Sequence, residues 1–200
     1  MTLGDNPRFK ICVSGAAETG HCGEGAFEVA YNLGKEIARH NCILVEGATT
    51  GFPYFAAKGA KEAGGIVVGF SPAQTEREHL ESYGLPIDYR DLIVYTGFGY
   101  SGRNLILTRA ADAVISGCGR VGTINEFTIA FEDRKPLGIL EGSWDTDELI
   151  KAIVDKSYRA EEMKDKIIFE SDPKVLVERL IEIIKEDKKT NGTLKRGKIN

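Results

Sequence analysis

Apolar residues fall along the chain in two alternating rhythms: short β-branched runs, and longer stretches in which they recur every three or four positions. Phe9–Ser14 (FKICVS) reads as the first strand, and the helix after it sets Ala26, Phe27, Ala30, Leu33 and Ile37 on one face. A second strand, Cys42–Glu46, precedes a helix that begins near Pro53 and carries Phe52, Phe55, Ala56, Ala60 and Ala63 as its apolar stripe. Gly64-Gly65 closes that helix and the strand IVVGF follows. The rhythm then lapses over the charged segment Ser71–Arg90, which is too long for a tight connection and is expected to hold a partial helix. It resumes as strand Leu92–Tyr95, helix Ser101–Ala111, strand Asp112–Ser116, helix Thr123–Glu132 and strand Leu137–Leu140. Helices at Thr146–Asp155 and Tyr158–Asp165, a strand at Ile167–Phe169 and a helix at Pro173–Lys185 complete the pattern.

Seven short strands alternating with helices predict an α/β architecture: an open, doubly wound, mainly parallel sheet with helices on both faces. Residues 1–189 are expected to form one domain, and 190–200, poor in apolar side chains, a mobile basic tail. No apolar run reaches the 18 or more residues of a membrane-spanning helix, and MTLGDNPRFK lacks the apolar stretch of a secretory signal. A cytoplasmic protein without membrane contact is the expectation. The formal charge is −4, and residues 185–200 hold six Lys/Arg against two Asp/Glu, which leaves −8 on the remainder and argues against a nucleic-acid partner. Cys12, Cys22, Cys42 and Cys118 are scattered singly, with no zinc-finger spacing, and read as reduced thiols. His21, His40 and His79 likewise show no metal-ligand spacing, so no metal site is expected.

In a doubly wound sheet, ligands bind at the C-terminal strand ends, and four glycine-rich turns fall there, in a chain with 23 glycines. The richest is Ser116-Gly117-Cys118-Gly119-Arg120-Val121-Gly122-Thr123-Ile124-Asn125-Glu126, between a strand and a helix. Glycines there allow a ligand close to the backbone, and the unpaired N–H groups of the helix start favour an anion such as phosphate; Thr123 adds a hydroxyl. A ligand-free turn would use the same residues. Ser14, Gly15 and Gly20 after the first strand imitate a phosphate loop, but His21-Cys22 stand where Lys and Ser/Thr are needed, which excludes an ATPase of that type. Gly47-x-x-x-Gly51 adds a further turn to the same edge. Gly117, Gly119 and Gly122, with Glu141 after the next strand, also fit a dinucleotide fingerprint, which keeps an NAD-dependent enzyme as a third reading. Arg103, in the first turn of its helix, opposes the helix dipole and needs an anion or Glu126 as partner. Glu126, near a helix N-terminus, should be ionised near neutral pH and a poor general acid unless burial raises its pKa.

Together these motifs resemble the SLOG superfamily, which includes the Lonely Guy proteins. The family run P-G-G-x-G-T-x-x-E is matched by Cys118–Glu126, and further resemblance lies in Gly47-x-x-x-Gly51, Gly64–Pro72, Arg103-Asn104 and Ala111–Ile115. The resemblance spans residues 9–141 and implies a Rossmann-like fold. It implies a metal-independent hydrolase that cleaves nucleoside 5′-monophosphates into free base and ribose 5-phosphate, without a required cofactor. Gly119, Gly122 and Thr123 would hold the phosphate, Glu126 would stabilise the oxocarbenium-like sugar and orient water, and Arg103 would hold substrate and carboxylate. Cys118 and Arg120 replace the family's proline and second glycine, and Arg103-Asn104 after T-G-x-G looks more like the branch with molybdenum-cofactor carriers and DprA-related members. That branch implies a non-catalytic carrier or sensor of a molybdenum-pterin cofactor or larger nucleotide; Arg120 suits a ligand richer in phosphate, or points to solvent. The family also implies a homodimer or homotetramer.

Overall fold

A computed structural model describes residues 8–196, with side chains described as far as Lys189. Its strands are β1 (Lys10–Ser14), β2 (Ile43–Glu46), β3 (Ile66–Ser71), β4 (Leu92–Tyr95), β5 (Ala113–Ser116), β6 (Leu137–Leu140) and β7 (Ile167–Glu170). The intervening helices are α1 (Ala26–Arg39), α2 (Gly51–Glu62), α3 (Glu76–Glu81), α4 (Gly99–Ala110), α5 (Val121–Glu132), α6 (Thr146–Lys156), α7 (Ala160–Met163) and α8 (Pro173–Arg196). All seven strands are parallel, in the order β4-β3-β2-β1-β5-β6-β7. The sheet is Rossmann-like, and the alternation of strands and helices along the sequence foreshadows it.

Residues of the inner strands alternate between two buried cores, so those strands read as nearly continuous apolar runs, while β4 at the edge is only partly covered. Ile11, Val13, Leu44 and Ile115 face Leu33, Phe52, Leu176 and Leu180 of α1, α2 and α8. Cys12, Val45, Val114 and Ile139 face Leu107, Phe127 and Ile150 of α4, α5 and α6. The chain runs outward in one direction from β1 through β2 to β4, and in the other from β5 to β7. The reversal therefore falls between β1 and β5, which pair in the register Ile11↔Ala113 to Ser14↔Ser116. A crevice opens beyond the C-terminal ends of two strands whose connections diverge, and this switch point is where an α/β sheet receives a ligand.

The segment over 71–90 contains the expected partial helix, α3, started by Thr75, whose hydroxyl accepts from Glu78 N–H at 3.2 Å. Its buried His79 contacts Ser71 Oγ at 2.8 Å and the Pro86 carbonyl at 3.1 Å, a structural role. At its end Arg90, its side chain fully buried, donates to Glu46 at 2.9 and 3.1 Å and to the Thr49 carbonyl at 2.8 Å. That ion pair fixes the charged segment against the Gly47–Gly51 turn.

Several boundaries differ from the sequence expectation for local reasons. The helix expected from Tyr158 starts at Ala160, because Tyr158 adopts φ 59°, a left-handed conformation no helix continues through. The last helix extends past Lys185 to Arg196, so the backbone of the tail expected at 190–200 is helical that far; 197–200 lie outside the described residues. Among the described residues no helix is long and apolar enough to cross a membrane. One expectation is overturned: Cys22 and Cys118 are not free thiols but a disulfide, their Cα atoms 5.6 Å apart across 96 residues of sequence. Only the parallel pairing of β1 with β5 brings the loops after them side by side. Cys12 and Cys42 are free and buried. Burial pushes the Cys12 thiol well above its ordinary pKa and that of Cys42 up to about 11.

Candidate functional site at the switch point

A cavity of about 360 Å³ occupies the crevice between the ends of β1, β2 and β5, lined by the Gly15–Glu18 loop, Gly47, Thr49, α4 and the start of α5. That volume falls in the range that encloses a small cofactor or nucleotide. Its most anion-friendly wall is the first turn of α5. Arg120, not Ser, Thr or Asp, occupies the N-cap position and supplies no side-chain cap. Among the described residues the N–H groups of Gly122 and Thr123 therefore have no partner, unlike the capped start of α3. Such N–H groups, added to the helix dipole, form a receptor for phosphate oxygens. Gly122 leaves open space where a side chain would stand, while Thr123 is buried against Gly119.

The glycines predicted for this edge divide into two groups. A Cβ on Gly47 would enter the Arg103 guanidinium, whose Cζ lies 2.7 Å from that position, so Gly47 is what lets Arg103 reach the cavity. Gly51, at φ 70°, turns the chain into α2 where a side chain would strike the Ala16 carbonyl. Gly15 and Gly117 both make room for the ring of Phe52, and of the two only Gly15 also lines the cavity. Gly119 also looks inward: its N–H donates to Thr146 Oγ1 at 2.8 Å and its carbonyl accepts from the same hydroxyl at 2.9 Å. Two of the three fingerprint glycines are thus used for packing, and Glu141 is exposed and not part of the cavity wall.

Arg103 and Glu126 meet, as their opposite charges require. Arg103 Nη1 lies 3.2 Å from Glu126 Oε1, both side chains are buried, and the guanidinium sits 5.8 Å from the Tyr100 ring centroid. Arg103 Nε is buried with no partner among the described residues. Ser14, at the end of β1, donates its hydroxyl to Glu126 Oε2. Burial raises the Glu126 pKa, against the opposing pull of Arg103 and the Ser14 hydrogen bond, with the Glu46 carboxylate adding to the rise. Glu126 is the sixth residue of α5, past the first turn where the helix dipole acts most strongly, so burial works against the ionised form expected from the sequence. In the orientation that satisfies its neighbours, the Asn104 amide donates to Glu126 Oε1 and to the Tyr100 carbonyl, each at 2.9 Å. Asn104 and Tyr100 were not singled out as site residues, although the Arg103-Asn104 pair was the visible signal. Arg120, the N-cap residue of α5, stands at the mouth, half exposed and paired with the exposed Glu18 at 3.0 Å.

Behind this wall the fold gathers His21, Cys22 and Cys118, whose ligand atoms all lie within 4.8 Å of one another. No spacing in the sequence reveals this cluster, because its members come from loops after β1 and β5.

Comparison with known proteins finds relatives of this fold. An uncharacterized protein of Archaeoglobus fulgidus is 33% identical over 133 residues, covering 66% of this chain and 82% of that one. The molybdenum cofactor binding protein of Rippkaea orientalis superposes with a TM-score of 0.66 at 27% identity, covering 90% of this chain and 96% of the other. The molybdenum cofactor carrier protein of Chlamydomonas reinhardtii gives 0.69 at 25% identity, covering 88% and 98%. The family model of SLOG cluster4 matches residues 8–177, from β1 into α8 and across every loop of the site, and the chain belongs to the SLOG cluster4 family.

Proposed function

We propose that this protein binds a phosphorylated pterin- or nucleotide-like molecule at the switch point and carries it without breaking it, with the molybdenum cofactor as cargo. The observation that carries this reading is the uncapped first turn of α5 facing Arg103 across a 360 Å³ cavity. The N–H groups of Gly122 and Thr123 and the Thr123 hydroxyl take the phosphate. Arg103, held by Glu126 with Nε unpartnered, offers a fixed cation beside it. Gly15 and Gly47 line the walls, Ser14 holds Glu126, Gly51 turns the chain into α2, Gly119 braces the turn through Thr146, and Arg120 stands at the mouth paired with Glu18. Likeness to a molybdenum cofactor binding protein and a carrier protein over most of all three chains supports this cargo. A gel-filtration experiment tests it: protein mixed with the cofactor should retain about one equivalent, recoverable intact, and Arg103→Ala should retain none. Equal retention by wild type and Arg103→Ala would remove the reading.

A second reading, a metal-independent nucleoside 5′-monophosphate phosphoribohydrolase, rests on the buried Arg103–Glu126 pair. In it the bond from sugar C1′ to the base nitrogen breaks, water supplies the new oxygen at C1′, and the base leaves with a proton. Glu126, ionised, stabilises the cationic sugar; protonated, it serves as acid to the leaving base, which its raised pKa favours. Free base released from a nucleotide panel by wild type and not by Glu126→Ala would establish this chemistry. NAD chemistry has the least support, because Gly117 and Gly119 are used internally. A homodimer or homotetramer is supported by the apolar side chains exposed beside the site, Phe98, Leu105 and Val121, the last 84% exposed.

A further inference from the structure

The cluster behind the anion turn is not needed for carriage or hydrolysis, and its chemistry is of another kind. Cys22 lies in the loop after β1 and Cys118 in the turn before α5, both fully buried, while His21 is exposed. His21 Nε2 lies 3.9 Å from Cys22 Sγ, 3.6 Å from Cys118 Sγ and 3.3 Å from the Gly119 carbonyl. Metal–sulfur bonds of about 2.3 Å and metal–nitrogen bonds of about 2.0 Å at tetrahedral angles place S and N ligands about 3.5 Å apart and two sulfurs about 3.8 Å apart. Both nitrogen–sulfur edges of that triangle are therefore already at metal-spanning length. Only the sulfur–sulfur edge is too short, because the two atoms are bonded. With the Cα atoms 5.6 Å apart, rotation about either Cα–Cβ bond provides the remaining separation once that bond is broken.

We propose that reduction of the Cys22–Cys118 disulfide creates a site for one soft divalent cation, Zn²⁺ being the type, ligated by His21 Nε2 and the two cysteine sulfurs. The chemistry balances in two steps. A dithiol reductant gives two electrons and two protons to the disulfide and becomes a disulfide itself; the cation then displaces the two thiol protons. Two thiolates and one divalent cation sum to zero charge, which suits a pocket whose cysteines are shielded from water. The exposed His21 ring provides the way in, and three protein ligands leave a fourth position open. Oxidised, the same pair is a covalent tie between the first loop and the anion turn; reduced and metal-bound, the tie is coordinative. The site stands on its own geometry, so it survives failure of either functional reading.

Cobalt(II) is the probe, because thiolate ligation gives it an intense near-ultraviolet charge-transfer band. Full-length protein is reduced with a phosphine, which is removed under anaerobic conditions, and cobalt is titrated in and then displaced with Zn²⁺. The expected result is one equivalent bound with the thiolate band in reduced protein, none in oxidised protein, and none in reduced Cys118→Ser. His21→Ala, on an exposed side chain, should bind cobalt at least roughly 10-fold more weakly. Circular dichroism checks the fold of Cys118→Ser, and if that variant does not fold, His21→Ala decides. Absence of the band in reduced wild type, the same band and affinity in Cys118→Ser, or unchanged affinity in His21→Ala overturns the site.

Discussion

Gly122 separates a glycine kept for a ligand from one kept for packing, and Gly122→Ala turns that distinction into numbers. The residue sits in the first turn of α5, lines the cavity, and a Cβ added to it meets nothing within 4 Å. Nothing in the ligand-free protein therefore opposes alanine, and its lower backbone entropy should add roughly 0.4–1 kcal/mol of stability. At this chain length that is a rise in Tm of about 1–4 °C by calorimetry. The methyl group intrudes where a phosphate oxygen approaches the backbone, an overpacking that costs about 1–3 kcal/mol and weakens binding roughly 5- to 150-fold by titration calorimetry. The variant should be more stable and a poorer binder. Gly47→Ala is the contrasting control: its Cβ must displace Arg103, so stability and binding should fall together. A Gly122→Ala protein that binds as tightly as wild type would refute the assignment of the anion to this helix turn.

Arg90→Ala leaves Glu46 charged, buried and unpaired, and should destabilise the protein by about 3–5 kcal/mol, read in urea denaturation. Glu126 has a folded-state pKa raised above its ordinary 4.5, so the folded state holds its proton longer than the unfolded chain does. Its contribution to stability is thus present below 4.5 and declines as pH rises toward the raised value; the Tm of wild type relative to Glu126→Gln should fall across that window, and a flat difference would contradict the burial argument. Thiol titration in denaturant should count two reactive cysteines before reduction and four after, and Cys22→Ser should lose about 2–4 kcal/mol through release of a long loop, measured under oxidising conditions.

What the sequence made legible was local and periodic. Seven apolar runs became the seven strands of one parallel sheet, and the glycine turns landed on one edge because every parallel strand delivers its following loop to the same side. Arg103 and Glu126 were readable as partners because the sequence pattern sets each near the start of a helix with opposite charge, although both helices begin earlier than expected, at Gly99 and Val121, which puts both residues past the first turn. What stayed hidden depends on contacts between distant loops. The disulfide joins residues 96 apart, and the Arg90–Glu46 pair joins a strand end to an irregular segment that carries no period. Gly15, Gly117 and Gly119 resembled ligand glycines because room for a Phe52 ring or a Thr123 side chain and room for a phosphate demand the same missing Cβ. The raised pKa of Glu126 likewise follows from depth, which a helix position does not encode.

The central claim, that the start of α5 receives the phosphate, is tested most directly by following backbone amide resonances while titrating the ¹⁵N-labelled protein with the molybdenum cofactor and with a nucleoside 5′-monophosphate. The account predicts the largest shifts at the Gly122 and Thr123 amides and at the Arg103 side chain, with the ligand unchanged at the end of the titration. Saturable binding that leaves those signals in place and moves those of another surface would contradict it.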